Sequence, residues 1–181
     1  MSSGEIVQIN ISRGGVPKRP VFKAEVGENG IAGDGHNEGP AIHGGPERAL
    51  CLYAIETIEA LNAEGHPISP GSTGENITTR GLDWSEVVPG SRFALGSDVV
   101  IEITRYCTPC RTIRASFSDG NSNRIHHQLH PGWSRTYAKI LSGGIIRPGD
   151  RIAPVALAGE PERVAGAVWS ETAKAFVRPG E

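Results

Sequence analysis

Short runs of alternating hydrophobic and polar residues occur along most of the chain, and this alternation is typical of half-buried β-strands. In the run 6–12, Val7, Ile9 and Ile11 fall on one face, with polar Gln8 and Asn10 between them. Similar runs, bounded by turn residues, predict further strands at 21–26, 48–53, 77–79, 92–95, 99–104, 133–141 and 151–155. The 24 glycines and 13 prolines stand in small groups between these runs, as tight turns require. The pattern predicts a mainly β protein, a barrel or a sandwich.

Helical spacing replaces the alternation in one place. Ile55, Ile58 and Leu61 predict a helix over 54–64, which Gly65 and Pro67 end. Shorter helical segments are predicted at 111–117 and 121–130. The glycine-rich polar segment 27–45 predicts a long loop, and long ordered loops in compact domains are usually functional. Residues 156–181 carry no interpretable pattern and are interpreted as a C-terminal tail that follows a single domain over 1–155.

Charge and composition exclude several classes of protein. The 181 residues contain 18 Lys and Arg against 20 Asp and Glu, a formal net charge of −2, which argues against a broadly basic nucleic-acid-binding protein. No apolar stretch approaches the roughly 20 residues that span a bilayer. The first twelve residues contain charged Glu5 and no apolar run, so no secretory signal is visible. We therefore expect a cytoplasmic protein without nucleic-acid or membrane partners.

Two cysteines have a spacing that suggests chemistry. Cys107 and Cys110 lie between a predicted strand and a predicted helical turn, where backbone N–H groups favour a thiolate, and Arg111 follows at once. A nucleophilic thiolate, a persulfide carrier, a soft-metal ligand and a dithiol–disulfide couple are all compatible with this pattern. So is the packing of both thiols as small hydrophobic groups. Cys51, inside an apolar run, is interpreted as a core residue.

The same cysteines form part of a zinc-finger spacing. Cys107 and Cys110 are followed, after fifteen residues, by His126 and His130. The positions where a finger carries its small apolar core hold an arginine and a glycine instead. We therefore expect no structural zinc and interpret the histidines as solvated or as contacts to an anion.

Two glycine-rich polar segments have the composition of anion-binding loops. They contain His43, Gly44, Gly45 and Arg48 in the first, and Gly74, Glu75 and Asn76 in the second. Glycine lets backbone amides approach a ligand closely, and consecutive N–H groups bind anions. His43, Arg48 and Asn76 could add hydrogen bonds to phosphate or pterin atoms, although each segment alone would also suit an ordinary turn.

In this order the motifs resemble the MOSC domain, the C-terminal domain of molybdenum cofactor sulfurases that also occurs as stand-alone bacterial proteins. The matching stretches begin with Gly33-Asp34-Gly35-His36 and His43–Ala49, and continue with 74–78, 81–82, Pro109-Cys110 and Gly149-Asp150. The resemblance covers about 5–155. It implies a strongly bent, mostly antiparallel β-barrel with a few short helices.

The resemblance also implies a function. Cys110 would ligate molybdenum or carry a persulfide, and the cofactor-binding residues would be His43, Gly44, Gly45, Arg48, Gly74, Glu75, Asn76 and Arg111. The bound molybdenum cofactor (molybdopterin) reduces N-hydroxylated compounds in related proteins, with a separate electron-donor or sulfur-donor protein as partner. Cys107 stands where many members have arginine. A persulfide carrier without turnover, and a dithiol or zinc module of Cys107 and Cys110, remain the alternatives. Pyridoxal phosphate, which the full-length sulfurases bind in another domain, is not expected here.

Overall fold

Seven strands close into a barrel in the part of the chain that the structure describes. The structure, a computed structural model, describes residues 2–35 and 44–156, together with the backbone of 168–170 and 175–177. The barrel strands are β1 (Gly4–Ile11), β5 (Leu50–Ala54), β6 (Ile77–Arg80), β7 (Arg92–Leu95), β8 (Val99–Tyr106), β9 (Thr136–Ser142) and β11 (Arg151–Pro154). Their order is β11-β7-β8-β9-β5-β6-β1, and pairing of β1 with β11 closes the ring. The predicted fold class is confirmed.

The remaining strands are short. β2 (Arg19–Val21) extends the barrel sheet beside β1, while β3 (Ala24–Gly27) lies between β4 (Gly30–Ile31) and β10 (Gly144–Ile146) in a three-stranded sheet. β12 (Val168–Ser170) and β13 (Ala175–Val177) pair antiparallel within the segment for which the sequence predicted no element. None of the helices that the structure describes is both long and apolar enough to span a bilayer.

The helix α1 (Ile55–Ala63) explains the one parallel pairing among the described strands. It connects β5 to β6, which run side by side in the same direction, and parallel neighbours need such a crossover. All other strand pairs are antiparallel, as the resemblance implied. The register shifts within two strand pairs, β1 with β6 and β8 with β9. Such irregularities bend the strands that contain them.

Two apolar clusters hold the fold together. The larger fills the barrel with inward-facing side chains such as Ile9, Leu52 and Ile101. The smaller lies beneath α1 and combines Ile58 and Leu61 with Ile113 and Phe117 from the segment after β8. Packing of Ile113 anchors the short 3₁₀ helix Arg111–Ser116, and this helix begins immediately after Cys110. The second cluster thus determines where the cysteine lies.

Several predicted elements differ from the observed ones. The helix predicted at 121–130 is a single 3₁₀ turn, Ser122–Ile125, because Leu129, which would extend its apolar face, is 61% exposed and has nothing to pack against. The strand predicted at 21–26 is divided into β2 and β3, with Phe22 exposed at the break. β4 lies inside the segment predicted as a loop, and β10 (Gly144–Ile146) lies between the predicted strands 133–141 and 151–155, where no strand was predicted.

Candidate functional site

Segments distant in sequence meet around one cleft. The cleft contains about 790 Å³ of space not filled by atoms, part of it open to solvent. Its walls come from the β1–β2 connection, the residues before β5 and β6, the segment after β8 and the start of β9. The residues that line it are Gly15, Val16, Lys18, Gly35, Gly44, Arg48, Cys51, Thr73, Gly74, Asn76, Thr108, Cys110, Thr112, Ile113, Arg135 and Tyr137.

The charge of this lining has one sign. Lys18, Arg48 and Arg135 supply three cations, and no aspartate or glutamate is among the described lining residues. Cations in a partly enclosed site attract anions more strongly than they do in open water, because the local dielectric is lower. The cleft is therefore suited to an anionic ligand.

Cys110 is the accessible thiol of the cleft. It is half-buried, whereas Cys51 and Cys107 are buried, and all three are reduced. Its backbone is extended, and it directly precedes the 3₁₀ helix Arg111–Ser116. The hydroxyl of Ser122 donates to its carbonyl oxygen at 3.4 Å, and this bond ties the two 3₁₀ segments together. A ligand in the cleft can thus reach one nucleophilic sulfur without local unfolding.

Arg135 forms part of the cleft wall although it is 5% exposed. It donates through one terminal nitrogen to the carbonyl oxygen of Thr73, and its Nε is buried without a hydrogen-bond partner. In 2–35 and 44–156, no carboxylate lies within ion-pair distance of it. A buried guanidinium that lacks a carboxylate partner is costly in an empty site, and an anion in the cleft would lower that cost.

Lys18 is held by a buried ion pair. Its ammonium group contacts the Asp34 carboxylate, and both side chains are less than a tenth exposed. Asp34 also accepts from the backbone N–H of Ser12 at 2.9 Å and from Nδ2 of Asn76 at 2.8 Å. The aspartate therefore fixes the lysine at the cleft and compensates part of its charge.

Glu75 lies beneath the cleft and does not line it. Its carboxylate accepts from the Gly71 N–H at 2.5 Å and from the hydroxyls of Thr73 at 2.7 Å and Thr78 at 3.3 Å. Burial raises the pKa of this carboxyl above its ordinary value. These bonds hold the loop that presents Thr73 and Gly74, and contact of Glu75 with a ligand stays a prediction.

Asn76 lines the cleft, but its side chain is occupied. Nδ2 donates to the Asn10 carbonyl oxygen at 3.2 Å and to Asp34, and Oδ1 accepts from the Cys51 N–H at 3.1 Å. The side-chain donors that were expected to serve a ligand instead join the start of β5 to β1 and to Asp34. Asn76 thus shapes the wall, and its side-chain amide is satisfied within the protein.

Gly74 is required by its backbone conformation. Its φ is +86°, and a Cβ there would approach Cγ1 of Val16 to 3.1 Å and the Arg135 guanidinium to 3.8 Å. A side chain would therefore be strained and would also fill the cleft beside Arg135.

The sequence-predicted site residues divide into three groups. Gly44, Arg48, Gly74, Asn76 and Cys110 line one cleft although they are distant in sequence. Gly45 stands just outside the lining, before the 3₁₀ helix Pro46–Arg48, and Arg111 is exposed next to Cys110. His43 lies outside the described residues, so its place remains a prediction.

Two charged residues of the cleft were missed by the sequence analysis. Lys18 and Arg135 carry charges that would normally face solvent, and residue type alone does not predict their burial. The only signal was weak: Arg135 lies within the predicted strand 133–141, where its side chain could face inward.

Cys107 contacts Cys51 rather than Cys110 through its thiol. The two Sγ atoms are 3.6 Å apart, and both thiols are buried. In the described part of the chain, no three His, Cys, Asp or Glu side chains are grouped as a metal site requires. The expectation of no structural zinc stays a prediction.

Comparison with known proteins identifies the family. A family model described as the MOSC domain matches residues 39–153, well over half of the chain. The chain belongs to the MOSC domain family. This confirms the resemblance on which the sequence interpretation depended.

Curated relatives of this MOSC domain come from bacteria and a fungus. It is 30% identical over 141 residues to the uncharacterized protein YflK of Bacillus subtilis, covering 75% of this chain and 60% of YflK. It is 30% identical over 138 residues to a protein named reductase from Gibberella moniliformis, covering 74% of this chain and 23% of the relative. Over 123 residues it is 32% identical to YiiM of Escherichia coli, covering 65% of this chain and 53% of YiiM. The chain thus spans between a quarter and three fifths of these relatives.

Solved structures share the fold. YiiM from Geobacillus stearothermophilus superposes with a TM-score of 0.68 at 24% identity, covering 84% of this chain and 75% of that one. The YuaD protein of Bacillus subtilis gives a TM-score of 0.65 at 18% identity, covering 84% of this chain and 96% of YuaD. At these identities the likeness supports the architecture alone.

Proposed function

We propose that this MOSC domain binds the molybdenum cofactor in the cleft, with the Cys110 thiolate as a ligand of molybdenum. The observation that carries the proposal is the combination of one accessible thiol with three cationic side chains, Lys18, Arg48 and Arg135, in one cavity. The family is linked to molybdenum cofactor binding and to reductase-like roles, and one relative is named a reductase.

The residues fit such a group in two respects. A thiolate is a soft ligand suited to metals that bind sulfur, and Cys110 is the only half-exposed cysteine in the described part of the chain. The pterin phosphate is an anion, and the buried guanidinium of Arg135 has an Nε that no described group satisfies. Gly74 leaves room in the wall where a side chain would intrude.

The protein's own contribution would be ligation, charge compensation and orientation. Cys110 supplies a sulfur lone pair, Arg135 and Lys18 compensate negative charge, and the loop held by Glu75 maintains the wall. When bound, the cofactor supplies a metal centre that accepts oxygen from a substrate, as the reduction of an N-hydroxylated compound requires. In this proposal a separate electron-donor protein is the partner that returns the electrons.

A second candidate function uses the same sulfur. Because Cys110 is half-exposed in a cationic cleft, it could carry sulfane sulfur as a persulfide, whose negative charge the same cations would stabilise. This role needs no metal. Cyanide would then release thiocyanate from the purified protein in proportion to Cys110, and no molybdenum would accompany it.

Protection of Cys110 from alkylation tests the proposal. Iodoacetamide should modify Cys110 faster than Cys51 or Cys107 in protein made without molybdopterin, because the other two thiols are buried. Molybdenum cofactor released from a known molybdoenzyme should slow this reaction at Cys110. Cys107→Ala is the matched control, since it removes the neighbouring thiol outside the cleft lining. Unchanged alkylation of Cys110 with the cofactor present would contradict the proposal.

A further inference from the structure

The fold brings together two cysteines that the proposed function does not use. Cys51 lies on β5 and Cys107 directly follows β8, on either side of β9. Their Sγ atoms are 3.6 Å apart, and the residues are 4% and 2% exposed. No feature of the sequence relates them, because 55 residues stand between them.

Each of the two residues borders a hollow despite this burial. Cys51 contributes to the lining of the cationic cleft. Cys107 contributes to a second hollow whose other residues are Tyr106, Thr108, His126, His127 and Gln128. The pair thus lies between two hollows, and local opening of either wall would admit a molecule the size of peroxide.

The surroundings make the two thiols unequal. Contact with the Cys107 thiol lowers the pKa of Cys51 against the opposing effect of burial, and the charge of Arg135 lowers it further. Burial raises the pKa of Cys107 well above its ordinary value, and the contact with Cys51 adds to this. Cys51 is thus the better nucleophile of the two, with Cys107 beside it as the second thiol.

We propose that Cys51 and Cys107 are a redox-active dithiol that closes to a reversible disulfide with a peroxide as oxidant. The Cys51 thiolate attacks one oxygen of hydrogen peroxide, the O–O bond breaks, and the departing hydroxide takes up a proton to become water. The sulfenic acid formed on Cys51 is then attacked by the sulfur of Cys107, and a second water leaves with the Cys107 proton. Two electrons pass from the thiols to the peroxide. A dithiol reductant reverses the reaction.

The geometry requires a limited movement. A disulfide has an S–S bond of about 2.05 Å, so the sulfurs must approach by about 1.6 Å. Both residues are tied by their backbones to the cleft: Cys51 accepts from the Asn76 N–H at 2.7 Å, and the Cys107 N–H donates to the Arg135 carbonyl oxygen at 2.8 Å. The disulfide would therefore form within the cleft wall, and its formation does not depend on the cofactor.

Peptide mapping distinguishes this pair from the Cys107–Cys110 pair that the sequence suggests. Trypsin places Cys51 in peptide 49–80 and both other cysteines in peptide 106–111. Native protein is treated with hydrogen peroxide, its remaining thiols are alkylated in denaturant, and it is digested without reductant. We expect peptides 49–80 and 106–111 to be joined, with a mass two hydrogens below their sum. The join should persist in Cys110→Ser, disappear in Cys107→Ala and be lost on adding dithiothreitol.

Other outcomes would overturn the proposal. A disulfide inside peptide 106–111 with 49–80 alkylated would show that Cys107 pairs with Cys110. Absence of the joined peptides in Cys110→Ser would show that Cys110 had made the link, or that no link forms. Peroxide treatment in urea serves as the control. Unfolding separates the two thiols, so Cys107 should no longer form its disulfide preferentially with Cys51.

Discussion

Asn76 and Cys51 hydrogen-bond to each other twice, through Asn76 N–H to Cys51 carbonyl at 2.7 Å and Cys51 N–H to Asn76 Oδ1 at 3.1 Å. This reciprocal pair joins the start of β5 to the residue before β6, at the level of the cleft floor. The Asn76 Nδ2 group then continues the network to Asn10 and Asp34. One side chain thereby fixes three segments that meet at the site.

Truncation of this side chain should destabilise the protein. Asn76→Ala leaves the Cys51 N–H and the Asn10 carbonyl without partners in a buried region, and each unsatisfied group costs about 1–3 kcal/mol. We expect the free energy of unfolding to fall by about 2 kcal/mol or more. Urea unfolding monitored by tryptophan fluorescence measures it. Thr104→Ala, at a half-buried position near the end of β8, is a milder hydrogen-bond deletion for comparison, and an equal loss in both would argue against the network.

Glu75 should make stability depend on pH. Its pKa is raised in the folded protein, so the folded state holds a proton that the unfolded state has released above pH about 4.3. Stability therefore falls as pH rises from that value through the folded pKa. Glu75→Gln has the same shape but no titration, so wild type should lose stability relative to the variant as pH increases. Urea unfolding of wild type and Glu75→Gln across this pH range gives the difference in their free energies of unfolding. A difference that stays constant, or that grows in favour of wild type, would contradict a raised pKa for Glu75.

Arg135 should matter more for ligand binding than for folding. Arg135→Met removes a buried charge and with it the free-energy cost of desolvating that charge. It also leaves the Thr73 carbonyl without its donor, which costs about 1–3 kcal/mol. We expect a folded variant in which the molybdenum cofactor no longer protects Cys110 from alkylation. Arg135→Lys keeps the charge and should retain part of the protection. Full protection in Arg135→Met would remove this residue from the proposed site.

Metal removal should leave the fold intact. The Cys107 thiol lies against Cys51, and the described residues contain no cluster of three metal-binding side chains. The melting temperature should therefore be the same before and after dialysis against a zinc chelator. One equivalent of zinc, lost together with stability, would restore the zinc module of Cys107 and Cys110.

The sequence predicted the architecture better than the details of the site. Alternation and glycine spacing located most barrel strands, because each strand has one face in the barrel core. The two-residue strand β4 and the single turn Ser122–Ile125 depend on contacts with distant parts of the chain. The local pattern of residues does not predict such contacts.

The sequence analysis did not identify the cleft residues whose charged side chains are buried. Loop composition drew attention to Gly74 and Asn76, which line the cleft, since glycine and amide residues have recognisable turn chemistry. Lys18 and Arg135 belong to the cleft only because distant chain segments enclose them. The contact of Cys51 with Cys107 likewise follows from the strand order around β9 and from no local motif.

Molybdenum and pterin content is the most direct measure of the central claim. Wild type, Cys110→Ser and Cys107→Ala would be purified identically from a host that makes molybdopterin, and metal and pterin would be quantified per chain. Because Cys110 is the proposed ligand, wild type and Cys107→Ala should retain molybdenum and pterin in equal amounts, and Cys110→Ser should lose most of the molybdenum. Molybdenum retained in full by Cys110→Ser, or absent from wild type, would contradict the proposal.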